Sequence, residues 1–234
     1  MASGIAGQPD VVALTHPRSP AAEAYRSLRT NLQFASISHP LRRLLLTSAG
    51  PDEGKSTTAA NLAVAMAQMG STVILADCDL RRPSQHEIFN LRNTSGLTSL
   101  FLGAAGNGTG VGLPLQASAV PNLRVLTSGP LPPNPAELLA SALIDEILAQ
   151  LGEQADVVLL DSPPVVAVTD ASVLSAKVDG VLLVVGAGTV KRDLARKAKA
   201  QLEAVNANVL GLVVNNVPFD AGAFDGYFDG STSG

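Results

Sequence analysis

Between the apolar run Leu44-Leu45-Leu46 and a helix-period segment, Thr58 to Met69, stand the residues Thr47-Ser48-Ala49-Gly50-Pro51-Asp52-Glu53-Gly54-Lys55-Ser56-Thr57. That order of patterns predicts a strand, a glycine-bearing loop and a helix. A loop of this kind turns backbone N–H groups outward at a helix N-terminus, where the helix dipole also favours an anion. Lys55 adds a point charge suited to β- and γ-phosphates, and Ser56 a hydroxyl suited to Mg²⁺. Gly50, Pro51, Asp52, Glu53, Gly54, Lys55, Ser56 and Thr57 are therefore the candidate nucleotide cradle. The position six before the lysine is Ala49, where the usual pattern has glycine. Gly50 beside it still lets the loop turn.

The rest of the chain repeats the same alternation. Apolar runs of strand length occur at Leu44–Thr47, Thr72–Ala76, Leu123–Leu126, Val157–Leu160, Val181–Val185 and Val209–Val214. They are continuous rather than alternating, as parallel strands covered on both faces require. Helical patterns separate several of them: Ser56 to Met69, Pro135 to Leu151 with Asn134 as its N-cap, and Lys191 to Val205 with Leu194, Ala198 and Leu202 on one side. The reading is an α/β fold, a doubly wound and mostly parallel sheet of the P-loop NTPase type with helices on both faces. In such a sheet ligands bind beyond the carboxyl ends of the strands. Gly103 to Gly112 reads as a flexible loop, residues 1–18 as a linker, 19–218 as the folded domain and 219–234 as a flexible tail rich in Gly, Asp and Ser.

Composition narrows the function classes. A net charge of −4 argues against nucleic acid as a partner, because phosphate contacts need a basic surface. The lone Cys78 cannot form an internal disulfide and reads as a small buried filler, which points to a reducing compartment. No apolar run is long enough to span a bilayer, and Met1 to Gln8 carries no secretory pattern. The expectation is a cytoplasmic protein with no direct membrane insertion, brought to a membrane only by another polypeptide.

Two further strands end in acid. Thr72-Val73-Ile74-Leu75-Ala76 runs into Asp77-Cys78-Asp79-Leu80-Arg81-Arg82-Pro83, and Val157-Val158-Leu159-Leu160 into Asp161-Ser162-Pro163-Pro164. A carboxylate at the tip of a buried strand is costly unless something pairs with it. Magnesium on a triphosphate provides such a pairing, with hard oxygen ligands shared between one or two carboxylates, waters and phosphate. Asp161 is the natural second-strand acid for the metal. Asp77 and Asp79, two apart, would face one side of an extended chain, one holding the metal while the other accepts a proton. Phosphoryl transfer suits this inventory, since it rests on positioning and electrostatic stabilisation. The three histidines, His16, His39 and His86, are scattered and suggest no competing chemistry.

Together these motifs resemble the cytoplasmic domain of bacterial tyrosine kinases (BY-kinases) associated with capsule and exopolysaccharide synthesis. The resemblance covers about Ser19 to Pro218 and rests on five segments. The loop Ser48 to Thr57 is similar to the family's Walker A, Asp77 to Pro83 to its second acidic motif and Val158 to Asp161 to its Walker B. Glu23-Ala24-Tyr25-Arg26-Ser27-Leu28-Arg29 is similar to its E-x-x-R-x-x-R helix, and Pro132 to Leu139 to a further family segment. The resemblance implies ATP, ADP and Mg²⁺ as ligands. It implies Lys55 on phosphate, Ser56 and Asp161 on the metal, Asp77 as base and Asp79 as metal ligand or base. It also implies transfer to tail tyrosines, a ring-shaped homo-oligomer built partly through Glu23, Arg26 and Arg29, and a transmembrane activator of the chain-length-determinant kind whose cytoplasmic tail contacts the kinase. That arrangement would hold the protein at the inner face of the plasma membrane. One departure stands out: the chain has only two tyrosines, and Tyr227 alone lies in the tail.

Two other functions share the loop and the sheet. A partitioning or septum-placement switch ATPase usually has a signature lysine early in the loop, where this chain has Gly50, and membrane-cycling members end in a basic amphipathic helix, where this chain is acidic. A nucleotide-binding regulatory module without transfer chemistry is the third reading. The retained acids argue against it, while the sparse tyrosines leave it open.

Overall fold

A computed structural model of the protein describes residues 11–37, 40–105 and 112–218. Its strands are β1 (Arg43–Ser48), β2 (Val73–Asp77), β3 (Gln116–Ala117), β4 (Leu123–Leu126), β5 (Val157–Asp161), β6 (Gly180–Gly186) and β7 (Val209–Asn215). They make one seven-stranded sheet in the order β3-β4-β2-β5-β1-β6-β7. Every neighbouring pair is parallel except β3 with β4. The helices are α1 (Val12–Thr15), α2 (Pro20–Ala35), α3 (Lys55–Ala67), α4 (Gln85–Ile88), α5 (Leu97–Ala105), α6 (Pro135–Ala140), α7 (Ala142–Glu153), α8 (Asp170–Ser175) and α9 (Arg192–Ala204). None of the described helices is long and apolar enough to cross a membrane.

The sheet separates two apolar layers, and alternate residues of each central strand feed opposite ones. In β1, Leu45 enters the layer of Ile144, Leu148, Leu174 and Leu202 from α7, α8 and α9. Its neighbours Leu44 and Leu46 enter the layer of Leu32, Leu62 and Met66 from α2 and α3. This two-sided burial is why the strands read as unbroken apolar runs. Each fully buried leucine contributes about 1.5–3 kcal/mol. Helix α3 is buried all round from Thr58 to Ala67, and its alanines let it lie close to the sheet while α2 packs over it.

Topology gathers the acids. Strands β1 and β2 both border β5, so the carboxyl tips of all three are adjacent. In the β2–β5 register Asp77 is paired with Asp161, and in the β1–β5 register Leu46 is paired with Asp161. Neighbouring strands lie about 4.8 Å apart, so the two carboxylates stand side by side.

The doubly wound sheet agrees with the sequence pattern, while several local expectations are corrected. The helix expected from Pro135 to Leu151 is two helices, broken at Ser141, whose extended backbone (φ −68°, ψ 159°) ends α6 and opens α7. The Ser141 hydroxyl donates to the Leu138 carbonyl at 2.7 Å and closes the first piece. Asn134 holds the N-cap position, but its side chain donates to Glu137 at 2.9 Å instead of accepting from the helix. Gly103 lies inside α5 rather than in a loop, and residues 106–111 of that expected loop lie outside the described residues. The antiparallel edge strand β3 escaped the pattern because two residues carry no periodicity. Its Gln116 side chain accepts from the Arg92 amide at 3.3 Å and donates to the Arg92 carbonyl at 2.8 Å.

Two glycines test this packing in opposite directions. A Cβ at Gly96 would collide with the backbone of Thr127 and Gly129, where α5 is hydrogen-bonded to the end of β4, so Gly96→Ala is expected to cost about 2 kcal/mol. A Cβ at Gly152, on α7, meets open space, so Gly152→Ala is expected to stabilise by about 0.5–1 kcal/mol. Urea unfolding of both variants checks the pair.

Candidate functional site

The carboxyl ends of β1, β2 and β5 meet the N-terminus of α3. Gly54 is the N-cap of α3 and has φ 84°, a left-handed conformation that suits glycine. It has no side chain to cap the helix, so the first-turn amides are left for a ligand. A Cβ at Gly54 would also collide with the Asn215 side chain. The Asn215 amide, at the end of β7, donates to the Glu53 carbonyl at 3.1 Å and braces the loop from below.

Lys55 projects from the first turn of α3 into the acids. Its Nζ lies 2.9 Å from Asp79 Oδ2 and 3.5 Å from Asp161 Oδ1, and it donates to Ser56 Oγ at 2.9 Å. Burial pulls the ammonium pKa down, but the Asp161 and Asp79 charges outweigh it and hold the group above its ordinary value. Asp77 is fully buried behind this pair. Its Oδ2 accepts from the Ser84 and Gln85 amides at 3.0 and 2.9 Å, and its Oδ1 from the Asp79 amide at 3.2 Å. Burial, and then the charge of Asp161, push the Asp77 carboxyl up to about 8. Cys78, between the two acids, is buried and its thiol is pushed far up by burial, which agrees with an inert filler.

Lys55, Ser56 and Asp79 border a cleft of about 390 Å³. Of the expected cradle, Pro51, Asp52, Gly54, Lys55, Ser56 and Thr57 line it, together with Asp79, Arg82 and Pro164. Glu53 does not line it. Its side chain is buried under the loop, where it accepts from the Gly50 amide, and burial raises its carboxyl while that bond lowers it. Asp77 and Asp161 lie behind the wall rather than in it. Among the described residues no group of three or more His, Cys, Asp or Glu forms a metal cage. The oxygens of Ser56, Asp79 and Asp161 around Lys55 are hard donors of the kind Mg²⁺ shares with phosphate.

The expected interface residues stand apart from this cluster, on α2. Glu23 and Arg26 form an exposed ion pair at 2.7 Å, and Arg26 also donates to the Pro17 carbonyl. Arg29 donates to the Ala65 carbonyl at 3.2 Å and ties α2 to α3. Tyr25, on the same helix, is partly buried, and burial raises its phenol. Tyr227 lies outside the described residues.

Two groups had no signal in the sequence. Gln85, on α4, is buried and donates to Asp161 Oδ2 at 2.8 Å and to the Ser56 carbonyl at 3.1 Å. Both partners are acceptors, which assigns the orientation of the amide. One residue therefore holds Asp77 by its backbone and Asp161 and the loop by its side chain. Asp170, at the start of α8, is buried and holds Arg81 in a two-pronged pair at 2.9 and 3.0 Å.

Comparison with known proteins narrows the fold to a family. A ParA family model, described as NUBPL iron-transfer P-loop NTPase, matches residues 42–223. The tyrosine-protein kinase YwqD of Bacillus subtilis is 44% identical over 221 residues, covering 94% of this chain and 92% of its own. The chain belongs to the bacterial tyrosine-kinase family. Solved structures agree. The kinase domain of the Escherichia coli tyrosine kinase ETK superposes on this kinase with a TM-score of 0.83 at 31% identity, covering 94% of this chain and 84% of its own. The chimerical protein CapA2B2 does so with a TM-score of 0.83 at 40% identity, covering 89% and 90%.

Asp77 subtracts stability from the nucleotide-free kinase as pH rises. The folded chain keeps the proton up to about 8, whereas the unfolded chain releases it near 3.8, so the loss accumulates between these values and stops above them. Removing the neighbouring charge by Asp161→Asn is expected to lower the Asp77 pKa, read from its carboxyl carbon shift by NMR. Gln85→Met leaves Asp161 Oδ2 and the Ser56 carbonyl without their donor, an expected loss of about 1–3 kcal/mol in urea unfolding.

Proposed function

We propose that this kinase transfers the γ-phosphoryl group of ATP, with Mg²⁺, to the hydroxyl of Tyr227. The observation that carries the reading is the Lys55 ammonium held between Asp79 and Asp161 at the head of α3, beside the cleft. Magnesium on the triphosphate supplies charge neutralisation for phosphoryl transfer. The first-turn amides of α3 and Lys55 hold phosphate, Lys55 leaving its carboxylate partners to do so. Ser56, Asp79 and Asp161 are the metal donors. The phenol oxygen bonds to the γ-phosphorus as the bond to the bridging oxygen breaks, and ADP leaves with that electron pair. The phenol proton passes to the Asp77–Asp79 pair. Asp79 meets the cleft, and Asp77 stands directly behind it.

The identity to tyrosine kinases over nearly the whole chain favours this reading over a switch ATPase. So does Gly50 at the place of that class's signature lysine. An iron-carrying role has little to work with, since Cys78 is the chain's single cysteine.

We propose regulation of capsule or exopolysaccharide synthesis as the biological setting. We further propose a ring of subunits using the Glu23–Arg26–Arg29 face of α2, and a transmembrane activator that brings the kinase to the inner face of the plasma membrane. The bond from Arg29 to Ala65 supports a route from that face to α3 and its phosphate-facing end.

Incubation with ATP and Mg²⁺ followed by mass spectrometry is expected to find phosphate on Tyr227, lost in Lys55→Met and Asp77→Ala. ATP hydrolysis with no phosphotyrosine on this chain or on any added acceptor would overturn the proposal.

A further inference from the structure

A second cleft, of about 290 Å³, adjoins the first. Its walls are apolar: Pro51 from the phosphate loop, Pro163 and Pro164 after β5, and Ala167 and Val168 before α8. Asp79 borders both clefts. A hydrophilic triphosphate has no use for a proline-walled slot, whereas an aromatic ring does. A ring seated there would bring a phenolic oxygen towards the one acid that reaches both spaces.

Two arginines stand at the slot, and they differ. Arg81 is committed to the buried Asp170. Arg82 is exposed, and among the described residues its side chain makes no ion pair or hydrogen bond, while its backbone amide is pinned to Asp79 Oδ1 at 2.9 Å. An unpaired guanidinium at the rim of an apolar slot is suited to a carboxylate on whatever carries the ring. The chain contains such a segment: Phe224-Asp225-Gly226-Tyr227-Phe228-Asp229, with acids two positions to either side of the tyrosine and no basic residue from 219 to 234. Tyr227 is nine positions beyond Pro218, at most about 30 Å of extended chain. The segment departs from the end of β7, where Asn215 is bonded to the phosphate loop.

We propose that the proline-walled slot is the acceptor subsite and that Arg82 selects tyrosines flanked by acidic residues, Tyr227 being the resident example. This rests on the kinase reading and adds substrate selection to it. Arg82 is a specificity residue, not a group that touches the reacting atoms.

The test uses the full chain carrying Tyr227→Phe, ATP, Mg²⁺ and two synthetic peptides. One spans residues 222–231, and the other has asparagine in place of Asp225 and Asp229. The acidic peptide is expected to be preferred in kcat/KM by about 5-fold, with the preference shrinking as salt rises. Arg82→Ala is expected to bring the ratio close to one, and Arg82→Glu to favour a lysine-flanked peptide instead. Ala167→Phe, at an exposed wall position, is expected to raise the KM for peptide without weakening ADP binding measured by calorimetry. A preference that survives Arg82→Ala overturns the inference, as does an Arg82→Ala variant that loses ADP affinity while keeping the preference. Equal use of both peptides by the parent enzyme also overturns it and leaves the kinase reading intact. ATP hydrolysis with neither peptide phosphorylated sinks the kinase reading itself.

Discussion

Three carboxylates share one ammonium at the carboxyl edge of the sheet. Asp77, Asp79 and Asp161 are all buried, and buried charge is tolerated only when it is paired or neutralised. Lys55 pairs with two of them, and a proton on Asp77 relieves the third. The cation is carried by α3 and the acids by the ends of β2 and β5, so the charge balance ties three elements together. It also sets the terms for any nucleotide. On the function proposed, a triphosphate would draw Lys55 away from its acids, and the metal it brings would neutralise them. Phosphate and metal are therefore coupled by electrostatics before any contact is considered.

Most of the surrounding structure serves to keep these charges in register. Gln85 joins Asp77, Asp161 and the loop through one backbone and one side-chain amide. Glu53 and Asn215 brace the loop from below, and Asp170 fixes Arg81 beside the apolar slot. None of these residues lines the cleft; Gln85 restricts Ser56, which does, and Asp77 and Asp161, which stand behind it. A loop positioned this way presents its amides without reorganisation when charge develops.

The fold alone would leave the activity open, because the same sheet and loop host many reactions. What separates this chain from a switch ATPase lies in particular positions: Gly50 early in the loop and an acidic stretch from 219 with one tyrosine. Arg82 and the proline-walled slot extend that distinction from the nucleotide to the acceptor.

The sequence by itself determined the class of fold and the chemistry of the site. Continuous apolar runs alternating with helical patterns demand a parallel sheet covered on both faces, and glycine, lysine and serine at the head of a helix demand an anion. Both signals are local, so they survive in one dimension. Pairing across the sheet is not local. Only the tertiary structure decided that Asp77 faces Asp161, that Asp77 lies behind the cleft while Asp79 lines it, and that Gln85, Asp170 and Asn215 are parts of the site. The break at Ser141 belongs to the same class: the pattern of apolar residues runs through it, and the change of direction comes from what α6 and α7 each pack against. Strand order brings together residues far apart in the chain, 106 positions for Lys55 and Asp161 and 162 for Glu53 and Asn215, and no periodicity along a chain encodes which strand will be whose neighbour.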